Sequence, residues 1–179
     1  LILVIGGCAL GKVLLDIYSY CKEEADWNEF YQVSENDRSA IILQNEMVEE
    51  QALIKDGVCY FDLATVHKYM NEVFYADMTE NLLLYATPTE VIRTTFGETA
   101  YTTSEGTQEA GYVISFADGD NVYVAADYVK LFTNYSYACY DRHVQANTEW
   151  GTRQVAQLKK DTAVRLRGGV KSPILTQAV

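Results

Sequence analysis

Two segments of the chain are nearly alike: DGVCYFDLATVHKYMN at residues 56–71 and DGDNVYVAADYVKLFTN at residues 118–134. Once one extra residue is allowed after the Asp-Gly pair, Tyr60 aligns with Tyr123 and most other apolar positions also match. The matching positions are mainly apolar and turn residues, which specify a scaffold and not a reaction centre. The sequence therefore predicts an internal duplication of a small structural unit.

Each copy has the pattern of two strands, a short helix and two further strands. In the first copy, Asp56-Gly57 is typical of a hairpin turn, and the spacing of apolar residues then changes from two to about 3.6. This change predicts a short helix that starts after Asp62 and ends near Asn71. Asp62 is the expected N-cap, because its carboxylate can accept hydrogen bonds from the first backbone N–H groups.

These patterns predict the fold class and the domain boundaries. We expect an α+β fold with two related strand-strand-helix-strand-strand units at residues 40–96 and 97–157. The units should share a core or one continuous sheet, because a lone helix on a small sheet buries too little surface. A helix over residues 1–22 and a polar linker over residues 23–39 precede them, and an incomplete segment over residues 158–179 follows.

Composition limits the partners. The chain has 179 residues, 49% of them hydrophobic, and a formal net charge of -11. It can bury a sizeable core, but it lacks the excess of lysine and arginine from which nucleic-acid binding gains most of its affinity. Nucleic acid is therefore not an expected partner.

The amino-terminal segment predicts a contact with the membrane. Residues 1–11 carry no charge, but this run is too short to cross a bilayer, which takes about 20 residues. Since the chain begins with Leu, we expect that earlier residues are missing and that residues 1–22 belong to a membrane-anchor or signal-anchor helix. A lipidated Cys8 and an ordinary buried helix are the alternatives. The anchor and the lipid both place the remaining chain outside the cytoplasmic membrane.

The four cysteines give no metal-binding pattern. Cys8 and Cys21 lie near the amino end, Cys59 and Cys139 lie in predicted strands, and no two form a CxxC pair. Cys59 and Cys139 can pair in an oxidising compartment, although they are not equivalent positions of the two copies. Two small buried thiols are the favoured interpretation, because free cysteine behaves as a core hydrophobe.

The first copy and the tail resemble known bacterial domains. DGVCYFDL at residues 56–63 and NLLLYATP at residues 81–88 resemble the copper amine oxidase N-terminal-like domain of bacterial surface proteins. The resemblance implies a non-catalytic stalk that holds no copper, and the chain departs from it at Ala76, where the family often has Trp. Residues 158–179 look like the opening strands of an SH3-like domain. This order is similar to that of Firmicutes cell-wall proteins in which such domains precede a glycoside hydrolase family 18 barrel.

The function implied by the resemblance is that of a non-catalytic spacer or positioning region. It would belong to a membrane-anchored cell-wall glycosidase that hydrolyses a polymer containing N-acetylglucosamine. The catalytic acid would lie beyond Val179, because Asp118-Gly119-Asp120 lacks the final Glu of the acidic motif and fits a turn. A stand-alone wall-binding or adhesion module is the second hypothesis, and a small enzyme within these residues is the third. No catalytic, metal-binding or cofactor-binding residue is predicted.

Aromatic residues near the end of the second copy are the candidate glycan contacts. Tyr135, Tyr137 and Trp150 can form a platform on which the sugar rings of peptidoglycan or a chitin-like polymer stack. Because Tyr135 and Tyr137 share one strand face, a packed sheet surface is the favoured alternative. The oligomeric state is left open by the sequence.

Two histidines and two acidic pairs complete the candidate residues. His67 and His143 have no nucleophile or second histidine at a recognisable spacing, so surface positions are expected for both. The acidic pairs lie beside turns, where solvated carboxylates are the norm. They are Glu49 with Glu50, and Asp77 with Glu80.

Overall fold

The computed structural model describes residues 12–15, 18–148 and 157–178. The chain divides into two compact units: a central body, Tyr31–Thr152, and a terminal unit made from the segments on either side of it. Of the described residues, 45% lie in strands and 15% in helices, so the predicted α+β class is wrong and the fold is mostly β. The predicted boundaries of the two copies within the central body stay predictions.

The elements have the following bounds. Residues 12–15 are helical, and the labelled helices are α1 Trp27–Tyr31, α2 Leu63–Tyr69 and α3 Ala126–Phe132. The first strands are β1 Arg38–Leu43, β2 Glu46–Lys55, β3 Val58–Asp62, β4 Phe74–Asp77, β5 Leu82–Ala86, β6 Val91–Thr95 and β7 Ala100–Thr103. The remaining strands are β8 Gly106–Glu109, β9 Ser115–Asp118, β10 Asn121–Ala125, β11 Ser136–Cys139, β12 His143–Asn147, β13 Thr162–Arg165 and β14 Ile174–Ala178.

Two sheets build the central body. A curled seven-stranded sheet has the order β11-β12-β1-β2-β3-β10-β9, and β4 to β8 form a five-stranded antiparallel sheet in sequence order. One apolar cluster joins residues of both sheets and of α2 and α3. Its largest fully buried side chains include Tyr128, Phe61, Phe74, Ile41 and Leu83.

The two copies of the sequence repeat meet inside the larger sheet. Strands β3 and β10 each have five residues, and the helices that follow them each have seven, in the alignment that the sequence indicates. The two strands pair antiparallel with Phe61 opposite Val124, and both side chains are fully buried. These two residues are equivalent positions, so the pairing has local two-fold character. The expectation that the copies share a continuous sheet is confirmed at this pair.

The two repeated helices begin differently. Asp62 caps α2, since one carboxylate oxygen accepts from the Thr65 backbone N–H at 2.7 Å and the other accepts from the Thr65 hydroxyl at 2.9 Å. This confirms the predicted N-cap. The equivalent position before α3 is Ala125, and no side-chain cap is found there among the described residues. Burial of Ala126 and Val129 holds α3 instead.

The hairpins that follow the helices enter different sheets. In the first copy, β4 and β5 continue into β6, β7 and β8. In the second copy, β12 pairs parallel with β1, which places β11 at an edge of the larger sheet. The strand content exceeds the α+β expectation because β6, β7 and β8 add three strands after the first copy's hairpin. Of these, Val91–Thr95 alternates between exposed and buried positions, as in a strand with one face on the core.

The amino-terminal segment does not support the predicted anchor. Residues 12–15 are helical, and the rest of the anchor prediction up to residue 17 lies outside the described residues. Among the residues that the structure describes, no helix is long and apolar enough to cross a membrane. The predicted anchor helix over residues 1–22, and the membrane location that depended on it, are therefore wrong. A physical reason is that Cys21 and Ala25 donate backbone hydrogen bonds to Val170 and Ile174, which requires an extended segment.

The terminal unit is a small β structure. Strands β13 and β14 pair antiparallel, and Glu24 forms a parallel bridge to Ile174. The Arg165 guanidinium donates to the backbone carbonyl of Cys21 at 2.9 Å and to that of Ser172. These bonds tie the segment before α1 to the end of the chain. The SH3-like resemblance of residues 158–179 stays a prediction.

Candidate functional site

The predicted glycan platform is largely a packed surface. Tyr135 is 2% exposed, and its hydroxyl donates a hydrogen bond to the backbone carbonyl of Ala126. The ring of Tyr137 stacks on that of Tyr135 with centroids 5.9 Å apart and meets Phe61 edge-on at 6.5 Å. Trp150 lies outside the described residues. Glycan contact at these residues stays a prediction. The ring of Tyr135 is buried, so it is not accessible for stacking on a sugar.

A carboxylate sits beside the tyrosine pair. Asp127, in the first turn of α3, is exposed and hydrogen-bonds the Tyr137 hydroxyl. Burial first, and then this bond to a carboxylate, raises the pKa of Tyr137. Burial likewise raises the pKa of Tyr135. Both phenols therefore stay neutral at physiological pH and act as hydrogen-bond donors.

Two thiols complete this cluster. The thiols of Cys59 on β3 and Cys139 on β11 interact, although three strands separate β3 from β11 in the sheet. Cys59 is 3% exposed and Cys139 is exposed. The interaction with Cys59 lowers the pKa of Cys139, whereas the interaction with Cys139 and burial raise the pKa of Cys59. The sequence favoured two buried thiols, and the structure instead pairs a buried thiol with an exposed one.

An open groove lies on another part of the central body. It has a volume of about 510 Å³ and is lined by Asp37, Arg38, Lys55, Asp56, Phe116 and Asp118, among others. The groove therefore offers three carboxylates, two cations and one aromatic ring. Pockets of this kind suit a ligand with several hydroxyl or amide groups, because convergent polar groups fix its orientation.

Stacked aromatic rings and cations form the wall of the groove. Phe116 stacks on Tyr123 at 5.4 Å and meets Tyr60 edge-on at 5.1 Å. The Lys55 ammonium lies 4.5 Å from the Phe116 centroid, and the Arg38 guanidinium lies 5.3 Å from that of Tyr123. These distances are typical of cation–π contacts. The two repeated tyrosines thus share one neighbour, Phe116.

The hydroxyls of the repeated tyrosines have different partners. Tyr60 donates to the backbone carbonyl of Val113 at 2.9 Å, whereas Tyr123 accepts from the Arg38 guanidinium at 2.9 Å. The bond to Tyr123 is the main reason that the pKa of Arg38 is raised. The sequence repeat identified both tyrosines as framework residues, but it gave no signal for Arg38, which lies outside the repeat.

The acidic pairs have structural partners. Glu50 accepts from the Lys68 ammonium at 2.7 Å and from the Tyr69 hydroxyl at 3.0 Å, and the Lys68 bond lowers the pKa of Glu50. Asp77 accepts from the backbone N–H groups of Thr79 at 2.9 Å and Glu80 at 3.1 Å, as in a turn. Over residues 12–15, 18–148 and 157–178, no group of three His, Cys, Asp or Glu side chains has the geometry of a metal site.

The histidines also have local partners. A ring nitrogen of His67 lies 2.6 Å from the backbone carbonyl oxygen of Phe74. The ring of His143 stacks between Tyr31 at 4.8 Å and Tyr140 at 4.6 Å, and burial lowers the pKa of His143. Each ring therefore joins an element to a neighbouring segment of the central body.

Comparisons of the chain with family models, with curated proteins and with solved structures find no match. The resemblance to the copper amine oxidase N-terminal-like domain therefore rests on the residues quoted for it.

Proposed function

We propose that this chain is a non-catalytic spacer and positioning region of a cell-wall glycosidase of the family 18 kind. The observation that supports the proposal is the pairing of β3 with β10, which joins the two copies through Phe61 and Val124. A spacer needs a fixed length and direction. Two copies with one sheet and one core have these properties, whereas two copies joined by a flexible linker do not.

The duplicated residues agree with this proposal. They are apolar and turn positions, and the apolar residues of β3 and β10 are buried where the copies meet: Tyr60, Phe61, Tyr123 and Val124. Duplication of a framework preserves shape, and it does not by itself duplicate a reaction centre. The glycosidase part of the proposal rests on the resemblance described above, and its acid residue would lie outside this chain.

The groove favours a second function, that of a wall-binding module. A partly exposed aromatic ring beside carboxylates can contact the C–H face of a sugar while the carboxylates accept from its hydroxyls. In the groove, Phe116 is the ring, and Asp56 and Asp118, equivalent positions of the two copies, are among the lining carboxylates. The candidate ligand is a polymer of N-acetylated sugars such as peptidoglycan or chitin.

Co-sedimentation with insoluble peptidoglycan and with chitin separates the two functions. The spacer proposal expects no more protein in the pellet than for serum albumin at the same concentration. Saturable binding that falls at least about fivefold in Lys55→Ala and Asp118→Asn, equivalent to about 1 kcal/mol, supports the wall-binding module instead. Lys130→Ala is the matched control, because Lys130 is exposed on α3 and does not line the groove.

A further inference from the structure

The two thiols of the central body lie on strands that are not neighbours in the sheet. Side chains of β3 and β11 nevertheless meet. Cys59 lies two residues before Phe61, and Cys139 lies two residues after Tyr137. The rings of Phe61 and Tyr137 meet edge-on with centroids 6.5 Å apart, and the thiols of Cys59 and Cys139, one step further along the same strand faces, interact. Strands β3 and β11 therefore run antiparallel to each other across the core, with two successive side-chain contacts between them.

The two thiols differ in exposure and in pKa, the two properties that decide which thiol reacts first in disulfide exchange. Cys139 is exposed at the edge strand β11, where a small molecule can reach it. Cys59 is 3% exposed, and its interaction with Cys139 lowers the pKa of Cys139, which favours the thiolate there. Exchange proceeds through a mixed disulfide, so an exposed sulfur can react first and a neighbouring sulfur can then displace the small thiol and close a disulfide.

We propose that Cys59 and Cys139 form a thiol–disulfide exchange site that reacts with low-molecular-weight disulfides and, when oxidised, links β3 covalently to β11. This inference is independent of the proposed spacer function. The link would fasten the second copy's terminal hairpin to the first copy's central strand.

The exchange consists of two balanced steps. The Cys139 thiolate attacks one sulfur of the small disulfide, a protein–small-molecule disulfide forms, and one small thiolate leaves. Cys59 then loses its proton and attacks the Cys139 sulfur, and the second small thiol leaves with that proton. Two protein thiols are oxidised to one disulfide, and one small disulfide is reduced to two thiols.

The oxidised form should be more stable than the reduced form. The link closes a long loop that includes α2, the five-stranded sheet and α3, and closing a long loop restricts the unfolded chain most. We expect the Tm of the central body to rise by about 10 °C on oxidation and to return on reduction with dithiothreitol.

The test treats the reduced full chain with glutathione disulfide, followed by intact mass measurement and peptide mapping without reduction. The expected product has lost two hydrogen atoms and contains a linked Cys59–Cys139 peptide, while a Cys21→Ser control gives the same link. Cys139→Ser should give no link and no rise in Tm. Cys59→Ser should stop at a stable glutathione adduct on Cys139.

Two results would overturn the proposal. The first is wild-type protein that keeps glutathione on Cys139 with Cys59 still alkylated by iodoacetamide after unfolding. The second is a Cys59–Cys139 link that forms no faster than random pairing with Cys21. Because Cys139 is exposed, Cys139→Ser is expected to fold, so its circular dichroism spectrum separates loss of exchange from loss of structure.

Discussion

The two copies of the repeat differ in what secures them, although their central strands and helices correspond residue by residue. In the first copy, α2 has a carboxylate cap at Asp62, and the hairpin after it leads into a separate sheet. In the second copy, the N-cap position before α3 is the buried Ala125. The hairpin after α3 returns to the larger sheet beside β1. A local hydrogen-bonded cap therefore helps to stabilise the first copy, whereas contacts between distant segments stabilise the second.

The largest expected effect comes from breaking the junction of the copies. Phe61→Ala should lower the free energy of unfolding by about 4 kcal/mol, and Val124→Ala by about 2 kcal/mol, because each leaves a cavity at the same strand pair. Urea unfolding followed by circular dichroism measures both. Val91→Ala, at a position 57% exposed in β6, should change stability by less than about 0.5 kcal/mol. Separate transitions for the two copies in either core variant would contradict a shared core.

The helix starts provide the next contrast. Ala125→Asp places a carboxylate in the core and should cost about 2 kcal/mol or more, even though Asp is a favourable cap elsewhere. Asp62→Ala should cost about 1 kcal/mol, because the Thr65 backbone N–H and hydroxyl lose their acceptor. Asp62→Asn keeps an acceptor and serves as the control. A higher Tm for Ala125→Asp would contradict this difference, because it would show that a carboxylate cap stabilises both helices.

The repeated tyrosines allow a finer comparison. Tyr60→Phe should cost about 1 kcal/mol, because the Val113 carbonyl loses its donor beside a buried ring. Tyr123→Phe should cost less, because the Arg38 guanidinium keeps its contact with the ring and can bond to Glu35 and water. Chemical denaturation of the two single variants and the double variant measures the difference. Equal losses would mean that the partners of the hydroxyls do not matter.

The smallest expected effect is on pH dependence. Burial between Tyr31 and Tyr140 keeps the pKa of His143 below its value in the unfolded chain, so the unfolded chain takes up a proton more readily. The stability that His143 supports is therefore complete above about pH 6.5 and decreases as the pH falls towards the folded pKa. In the variant His143→Phe, the Tm should depend less on pH in this range. An unchanged slope in the variant, or a folded pKa above 6.5 by NMR, would contradict this assignment.

The parts of the fold that follow from local chemistry were predictable. Asp56-Gly57, the change of apolar period and Asp62 locate the hairpin, the helix and its cap, because each depends on neighbours within a few residues. The small size of each unit also predicted a shared core or a continuous sheet, because a lone helix on a small sheet buries too little surface.

The rest depends on contacts between distant segments. No residue near β12 in the sequence specifies that β12 pairs with β1. That pairing places β11 where its side chains meet those of β3. The contact of Arg38 with Tyr123 therefore has no sequence signal, and the sequence offered the pairing of Cys59 with Cys139 only as an alternative to two buried thiols. The anchor prediction is wrong because no described helix is long and apolar enough to cross a membrane, and Cys21, near its predicted end, donates a backbone hydrogen bond to Val170, far away in sequence.

The most direct test of the central claim is native-state hydrogen exchange of the backbone amides in β3 and β10. If the copies share one core through Phe61 and Val124, the slowest amides of both strands should exchange with the free energy of global unfolding. Phe61→Ala should then lower the protection of β3 and of β10 by the same amount. A loss of protection confined to β3, with β10 unchanged, would contradict the claim that the two copies form one cooperative unit.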